Sequence, residues 1–130
     1  MPNAPGAPRR ILLVEDNADV SEVLQELLTI EGHQAQIAAD GETALREAPA
    51  FDPHVALIDI GLPDMAGHDV ARGLRLALGD RVYMVALSGY IAASDRDEAS
   101  NAGFDAFLGK PVEPEALIDL IASVPARSPD

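Results

Sequence analysis

The residues of this sequence that could do chemistry are polar side chains that each end an apolar run. They are Glu15 and Asp16 after Ile-Leu-Leu-Val, Asp59 after Val-Ala-Leu-Ile, Ser88 after Val-Ala-Leu, and Lys110 after Phe-Leu-Gly. Three carboxylates in a site without histidine or cysteine suit a hard cation such as Mg²⁺. The ammonium and the hydroxyl can hold the oxygens of an anion. The set therefore fits a phosphoryl clamp in which one carboxylate oxygen acts as the nucleophile.

Asp59 is the centre of this set. It closes a short apolar run and is followed by Gly61 and Pro63, a pattern typical of a strand buried on both faces of a parallel sheet. An isolated aspartate at a strand end is equally suited to capping the next turn, so Asp59 alone leaves both interpretations open. The other four residues favour chemistry, because all five are unlikely to be independent turn residues. Two carboxylates about 4 Å apart repel by roughly 4 kcal/mol, so a converging set would hold protons or a cation.

Alternating segments predict the elements that position these residues. Strands are predicted over residues 10–14, 34–39, 55–59, 81–87 and 105–108, and helices over residues 19–31, 42–48, from 67, near 93–101 and from 114. Pro49 is expected to end the second helix. Strands that alternate with helices predict an α/β fold, a doubly wound sandwich with a parallel sheet covered on both faces. The carboxyl ends of its strands meet at one edge, where ligands bind.

Composition excludes several other functions. The chain has 130 residues, 22 acidic against 9 basic, and a formal net charge of −13, so it offers no basic face for nucleic acid. It has no cysteine and therefore neither disulfides nor thiolate metal sites. No apolar run reaches the roughly 18 residues of a membrane span, and the N-terminus lacks a signal-peptide pattern. We expect a cytoplasmic protein without membrane insertion, with a disordered lead-in or linker over residues 1–8, one domain over 9–124 and a tail over 125–130.

Four motifs identify the family that the chain resembles. They are Ile-Leu-Leu-Val-Glu-Asp-Asn at 11–17, Ala-Leu-Ile-Asp-Ile-Gly-Leu-Pro-Asp-Met-Ala-Gly at 56–67, Ala-Leu-Ser-Gly at 86–89 and Phe-Leu-Gly-Lys-Pro at 107–111. In this order and spacing they resemble a receiver domain of the two-component response-regulator family, over about residues 9–124. The resemblance implies a flavodoxin-like (βα)5 fold with strand order 2-1-3-4-5. It also implies a signalling domain, not an enzyme, that assists its own phosphorylation and dephosphorylation.

The resemblance assigns a role to each residue of the site. Asp59 would be the phosphoacceptor, and Ser88 and Lys110 would grip the phosphoryl oxygens. Asp16, Asp59 and the backbone carbonyl of Gly61 would ligate Mg²⁺. Glu15, where many relatives have aspartate, would act through water.

Further positions would serve as a switch and a shield. Ser88 moving toward the phosphoryl group would let Phe107 turn inward, a change driven by about −1.5 to −2 units of added charge. The bond between Lys110 and Pro111 is expected to be cis by resemblance. Tyr90 is expected to shield the acyl phosphate in part, while Gly61 offers no side chain that would assist hydrolysis.

The implied partners are proteins. A histidine kinase or a histidine phosphotransfer protein would donate the phosphoryl group. A downstream protein target would bind a face made by residues 92–101, 105–107 and the last helix. With only short tails beside it and no output domain, the chain is expected to be a stand-alone regulator or a receiver from a hybrid histidine kinase.

Rival interpretations fit less well. A flavin-binding flavodoxin would place phosphate where Glu15 and Asp16 repel it, and a dinucleotide enzyme would need the absent Gly-x-Gly-x-x-Gly. By resemblance, aspartyl phosphatases carry a second aspartate where this chain has Gly61, and they need a cap domain. A degenerate receiver that only binds a partner is the remaining alternative, against which the complete set of site residues argues. Arg72 and Arg75 are expected to face water.

Overall fold

The computed structural model describes residues 8–89 and 102–125 of the chain. The helix predicted near residues 93–101 lies outside these ranges, as does Tyr90. None of the described helices combines the length and the apolar character needed to cross a membrane.

Five strands form one parallel sheet. They are β1 (Arg10–Val14), β2 (Gln34–Ala38), β3 (Val55–Asp59), β4 (Tyr83–Ser88) and β5 (Ala106–Gly109). Their order across the sheet is β2-β1-β3-β4-β5, with every neighbouring pair parallel. The predicted doubly wound fold and its strand order are thereby confirmed. All five residues of β3 are buried, as expected for the central strand of a sheet covered on both faces.

Four helices surround this sheet in the described part of the chain. They are α1 (Ala18–Ile30), α2 (Gly41–Phe51), α3 (Gly67–Leu78) and α4 (Pro114–Ser123), and a short 3₁₀ turn, Gly79–Arg81, follows α3. Asn17 caps α1, because its side-chain oxygen accepts hydrogen bonds from the backbone N–H groups of Asp19 and Val20. Pro114 occupies the first turn of α4, where its missing N–H costs no hydrogen bond.

Pro49 does not end α2, contrary to the sequence prediction. The helix continues through it to Phe51 and ends at Asp52, whose φ of 51° and ψ of 62° are left-handed. The end of the helix is held from β1, because Nε of Arg10 donates to the carbonyl oxygens of Phe51 and Asp52 at 3.1 and 2.9 Å. This tertiary contact satisfies carbonyl groups that a helix end otherwise leaves unpaired.

Alternate residues of the strands feed two separate apolar cores. Leu12, Ile58 and Met84 pack on the face covered by α2 and α3. Leu13, Leu57 and Leu87 pack on the face covered by α1 and α4. Because successive side chains of a strand point to opposite faces, this alternation fixes the register of the sheet and the position of every strand end.

Candidate functional site

The register of the sheet aligns the residues selected from the sequence along one edge. Val14, which precedes Glu15, pairs with Ile58, which precedes Asp59. Asp59 in turn pairs with Leu87, next to Ser88. Ser88 pairs with Gly109, next to Lys110. The strand ends therefore lie side by side across four strands.

The side chain of Lys110 links the carboxyl ends of β1 and β3. Its Nζ lies 3.0 Å from Oε2 and 3.3 Å from Oε1 of Glu15, and 3.2 Å from Oδ2 of Asp59. The side chain of Glu15 is only 1% exposed and that of Asp59 only 11% exposed, whereas Lys110 is 25% exposed. The partly exposed ammonium thus forms ion pairs with two carboxylates that are mostly buried.

Asp16 completes an all-oxygen cluster. Carboxylate oxygens of Glu15, Asp16 and Asp59 all lie within 4.8 Å of one another, and Asp16 is the exposed member. Two carboxylates at such a distance repel by several kcal/mol unless a cation lies between them. The donor set is that of a hard, oxygen-preferring cation, so these residues fit Mg²⁺.

The charges of the cluster act on one another. Burial, and after it the neighbouring Asp59, raises the pKa of Glu15, although the hydrogen bond from Lys110 opposes this. For Lys110, burial alone would lower the pKa, but the hydrogen bonds to Glu15 and Asp59 outweigh burial and raise it. Lys110 therefore stays cationic and serves as a fixed counter-charge.

The loop after Asp59 is folded closely against the strand end. The backbone N–H of Gly61 donates to Oδ1 of Asp59 at 3.0 Å, and that of Gly67 donates to the carbonyl of Ile60 at 2.9 Å. A Cβ on Gly67 would lie 2.6 Å from the carbonyl oxygen of Asp59. Glycine is needed there, because the first turn of α3 rests directly on the backbone at the end of β3.

Ser88 and Phe107 lie on adjacent strands and share one face of the sheet. Phe107 pairs with Ala86, two residues before Ser88, and residues two apart on a strand point to the same face. Phe107 is partly buried and packs against the core beneath α2 and α3. The backbone carbonyl of Ser88 accepts a hydrogen bond from the N–H of Lys110 at 2.9 Å, and the peptide bond between Lys110 and Pro111 is cis.

Two polar residues with long-range contacts were not selected from the sequence. Asp64, in the loop after β3, accepts hydrogen bonds from the first residues of α2. Arg75 does not face water as expected, since its guanidinium donates to the carbonyls of Val82 and Gly103 at 2.9 and 2.7 Å. Only the preference of aspartate for helix N-termini could have pointed to Asp64, and no sequence signal names the helix that it meets.

Comparison with known proteins agrees with this geometry. The family model of the response regulator receiver domain matches residues 11–122. The chain belongs to that family. Among curated relatives, the transcriptional regulatory protein KdpE of Mycobacterium tuberculosis is 39% identical over 101 residues, which cover 78% of this chain and 44% of KdpE. The chain therefore spans less than half the length of this relative.

Solved receiver structures have the same fold. The receiver domain of sensor histidine kinase PA1611 from Pseudomonas aeruginosa is 31% identical, with a TM-score of 0.81 over 91% of this chain and 98% of that one. That structure has a magnesium ion coordinated in the active-site cleft. The chemotaxis protein CheY4 of Vibrio cholerae superposes with a TM-score of 0.87 over 92% of this chain and 100% of its own, at 24% identity, which supports the fold alone.

Proposed function

We propose that the chain accepts a phosphoryl group on Asp59 from the phosphohistidine of a histidine kinase or of a histidine phosphotransfer protein. The observation that carries the proposal is the contact of Lys110 Nζ with both Asp59 and Glu15, beside a three-carboxylate cluster. Asp59 is the member of this cluster that ends the central strand. A cation and an ammonium on either side of one carboxylate are what phosphoryl transfer to that carboxylate requires.

The reaction moves one phosphoryl group. A carboxylate oxygen of Asp59 attacks the phosphorus, and the phosphorus–nitrogen bond of the donor breaks. Its electron pair stays on the imidazole nitrogen, which takes up a proton. The product is an acyl phosphate on Asp59.

Mg²⁺ would be held by Asp16, Asp59 and the backbone carbonyl of Gly61, with Glu15 acting through water. When bound, it would neutralise the charge that gathers on the phosphoryl oxygens. Lys110 exchanges part of its contact with Asp59 for a phosphoryl oxygen, and the hydroxyl of Ser88 donates to another. Lys110 is already held beside Asp59, so its ammonium needs little reorganisation during transfer.

Phosphorylation would change a surface of the protein, and a partner protein would recognise that change. Ser88 and Phe107 share one face of the sheet, so movement of Ser88 toward the phosphoryl group can alter the space available to the Phe107 ring. We expect the new surface, formed by β5, α4 and the segment over residues 92–101, to bind a downstream protein. Tyr90 is proposed to shield the acyl phosphate, and Gly61, without a side chain, leaves hydrolysis unassisted.

The alternative, a degenerate receiver that binds a partner without phosphorylation, has less support. Binding a partner without phosphorylation does not require the mostly buried ion pairs of Lys110 with Glu15 and Asp59. Burying charges costs free energy unless the geometry compensates for it. The complete set of acidic residues and the lysine therefore favours an active acceptor.

The deciding experiment measures intact mass after incubation with Mg²⁺ and a small phosphodonor. Wild type is expected to gain one phosphoryl group, and Asp59→Ala is expected to gain none. Asp69→Ala is the matched control, because it removes an exposed aspartate of the neighbouring helix α3 and should react like wild type. A wild-type protein that binds Mg²⁺ but gains no mass, even with phosphorylated kinase, would contradict the proposal and favour the binding module.

A further inference from the structure

The loop after β3 is attached to α2, which lies beside α3 on the same face of the sheet. Asp64, in the middle of this loop (residues 60–66), places Oδ1 2.9 Å from the backbone N of Gly41 and Oδ2 2.9 Å from the backbone N of Glu42. Both nitrogens belong to the first turn of α2. The carboxylate of Asp64 therefore connects the loop to α2, through residues that lie 23 and 22 positions earlier in the chain.

The N–H groups that Asp64 accepts have no partner within their own helix. The first turn of a helix leaves its N–H groups unpaired, and α2 caps itself only through Asp40, which accepts the N–H of Thr43 at 2.8 Å. The pKa of Asp64 is lowered by the two backbone hydrogen bonds from α2. Two carboxylates thus share one helix N-terminus, and only one of them comes from the loop beside the acceptor.

Apolar packing reinforces the same contact. Met65 lies so close to Gly41 that a Cβ built there would meet its Cγ at 2.5 Å and its Sδ at 2.7 Å. Glycine at this position therefore lets the loop rest on the helix backbone. The attachment combines two hydrogen bonds and one close packing contact.

The other end of the loop reaches the acceptor. Gly61 and Ala66 form an antiparallel bridge that closes the loop on itself, and the N–H of Gly61 donates to Asp59. Only Leu62 and Pro63 separate Gly61 from Asp64. A shift of Asp64 is thus transmitted through a short, closed loop to the backbone beside the acceptor carboxylate.

We infer that Asp64 is a positioning residue that holds the Gly61 backbone in place for the cation by fastening the loop to the N-terminus of α2. This inference rests on the proposed function, in which the carbonyl of Gly61 ligates Mg²⁺. In the described part of the chain, the side chain of Asp59 forms its hydrogen bonds with Gly61 and Lys110, not with Asp64 or α2. Their effect on the site passes through the loop.

The test compares two aspartates that serve the same helix. Asp64→Ala and Asp40→Ala each remove one carboxylate and one cap of α2, but only the first releases the loop. Mg²⁺ affinity is measured by NMR titration of the Gly61 amide, and stability by urea unfolding. Both variants are expected to unfold at a lower urea concentration than wild type, because each loses one cap of α2. Asp64→Ala should also bind Mg²⁺ on the order of tenfold more weakly, the usual effect of losing a residue that orients a ligand, whereas Asp40→Ala should match wild type.

A third variant separates position from charge. Gly41→Ala leaves the net charge unchanged but pushes Met65 away from α2, so it should weaken Mg²⁺ binding in the same direction as Asp64→Ala. Wild type that binds no Mg²⁺ would overturn both the proposed function and this inference. Wild type that binds Mg²⁺ and is phosphorylated, while Asp64→Ala matches Asp40→Ala in affinity, would leave the function intact and reduce Asp64 to a structural cap.

Discussion

Lys110 is the residue on which the stability of the cation-free site depends. Lys110→Met keeps the length of the side chain but removes the ammonium, which leaves Glu15 buried without its counter-charge. The free energy of unfolding without Mg²⁺ should fall by about 2 kcal/mol, since hydrogen bonds to charged groups contribute about 1.5–3 kcal/mol. Saturating Mg²⁺ should recover part of this loss, because the metal ion then supplies the missing positive charge. Urea titrations with and without Mg²⁺ measure both effects.

Arg72→Met is the matched control for Lys110→Met. Arg72 forms an ion pair with Asp69 on the surface, where the Arg72 side chain is 55% exposed and the Asp69 side chain is 61% exposed. Exposed pairs contribute between about 0 and 1 kcal/mol, so this variant should stay close to wild type and show no dependence on Mg²⁺. Equal losses in the two variants would mean that Lys110 acts as an ordinary surface charge.

The difference between Lys110 and Arg75 shows which residues the sequence could identify. Lys110 could be selected because it follows a strand, and because its partners also lie at strand ends: Glu15 follows β1 and Asp59 ends β3. The partners of Arg75 include the backbone carbonyls of Gly79, Val82 and Gly103. Every residue has a backbone carbonyl, so no pattern of residue types predicts such a contact.

Among the elements, the two glycines of α3 should differ in how strongly substitution by alanine destabilises the protein. In Gly67→Ala the new methyl group would lie 2.6 Å from the Asp59 carbonyl oxygen and 2.8 Å from Cα of Ile60, and neither backbone atom can move freely. We expect a loss of about 2 kcal/mol, typical of overpacking, together with weaker Mg²⁺ binding because the end of β3 must shift. Urea unfolding and an NMR titration with Mg²⁺ report the two effects.

Gly73→Ala is the control on the same helix. Its methyl group would meet Cδ2 of Leu45 at 2.6 Å, the far end of a flexible side chain that can turn aside. Alanine also gains up to about 1 kcal/mol over glycine inside a helix, so this variant should stay within about 1 kcal/mol of wild type and keep its Mg²⁺ affinity. If Gly73→Ala proved the more damaging variant, the close approach of α3 to the end of β3 would not control the site.

The elements themselves were largely predictable, and the exception is informative. The doubly wound fold followed from strands that alternate with helices, because right-handed crossovers leave few arrangements. The strand order came from the resemblance to the receiver family. The prediction that Pro49 ends α2 was wrong, since a proline near a helix end removes only one hydrogen bond. Arg10 of β1 then supplies donors to the last carbonyls. Local propensity identified a breaking residue, but a contact across the fold decided where the helix ends.

At the scale of the whole molecule, two histidines bind the backbone at the start of β1, at the end of the sheet opposite the site. Nδ1 of His33 accepts the backbone N–H of Arg9 at 3.0 Å, and Nδ1 of His54 accepts that of Arg10 at 2.9 Å. Nη2 of Arg9 donates to the carbonyl of Val124 at 2.8 Å, which ties the start of β1 to the residue after α4. These contacts hold the amino-terminal ends of the strands independently of the residues at the carboxyl ends.

This arrangement makes stability depend on pH through His33. Burial, and after it the charge of Arg9, lowers the pKa of His33, although Glu31 opposes the shift. The folded state therefore takes up a proton at lower pH than the unfolded state, whose histidine pKa is about 6.5. The contribution of His33 should be fully present above about pH 6.5 and should decline as the pH falls below it toward the lowered folded pKa.

His33→Gln isolates this contribution, because glutamine does not titrate and its side-chain oxygen can still accept a hydrogen bond. Urea unfolding at about pH 7.5 and about pH 5.5, on either side of the unfolded histidine pKa, compares the variant with wild type. Wild type should lose more stability between these conditions than His33→Gln, since carboxylates titrate equally in both proteins. Mg²⁺ affinity at the higher pH should be the same in the two proteins, because His33 lies at the opposite ends of the strands. An identical pH dependence in the two proteins would contradict the assignment, because the proton taken up on unfolding would then belong to another group.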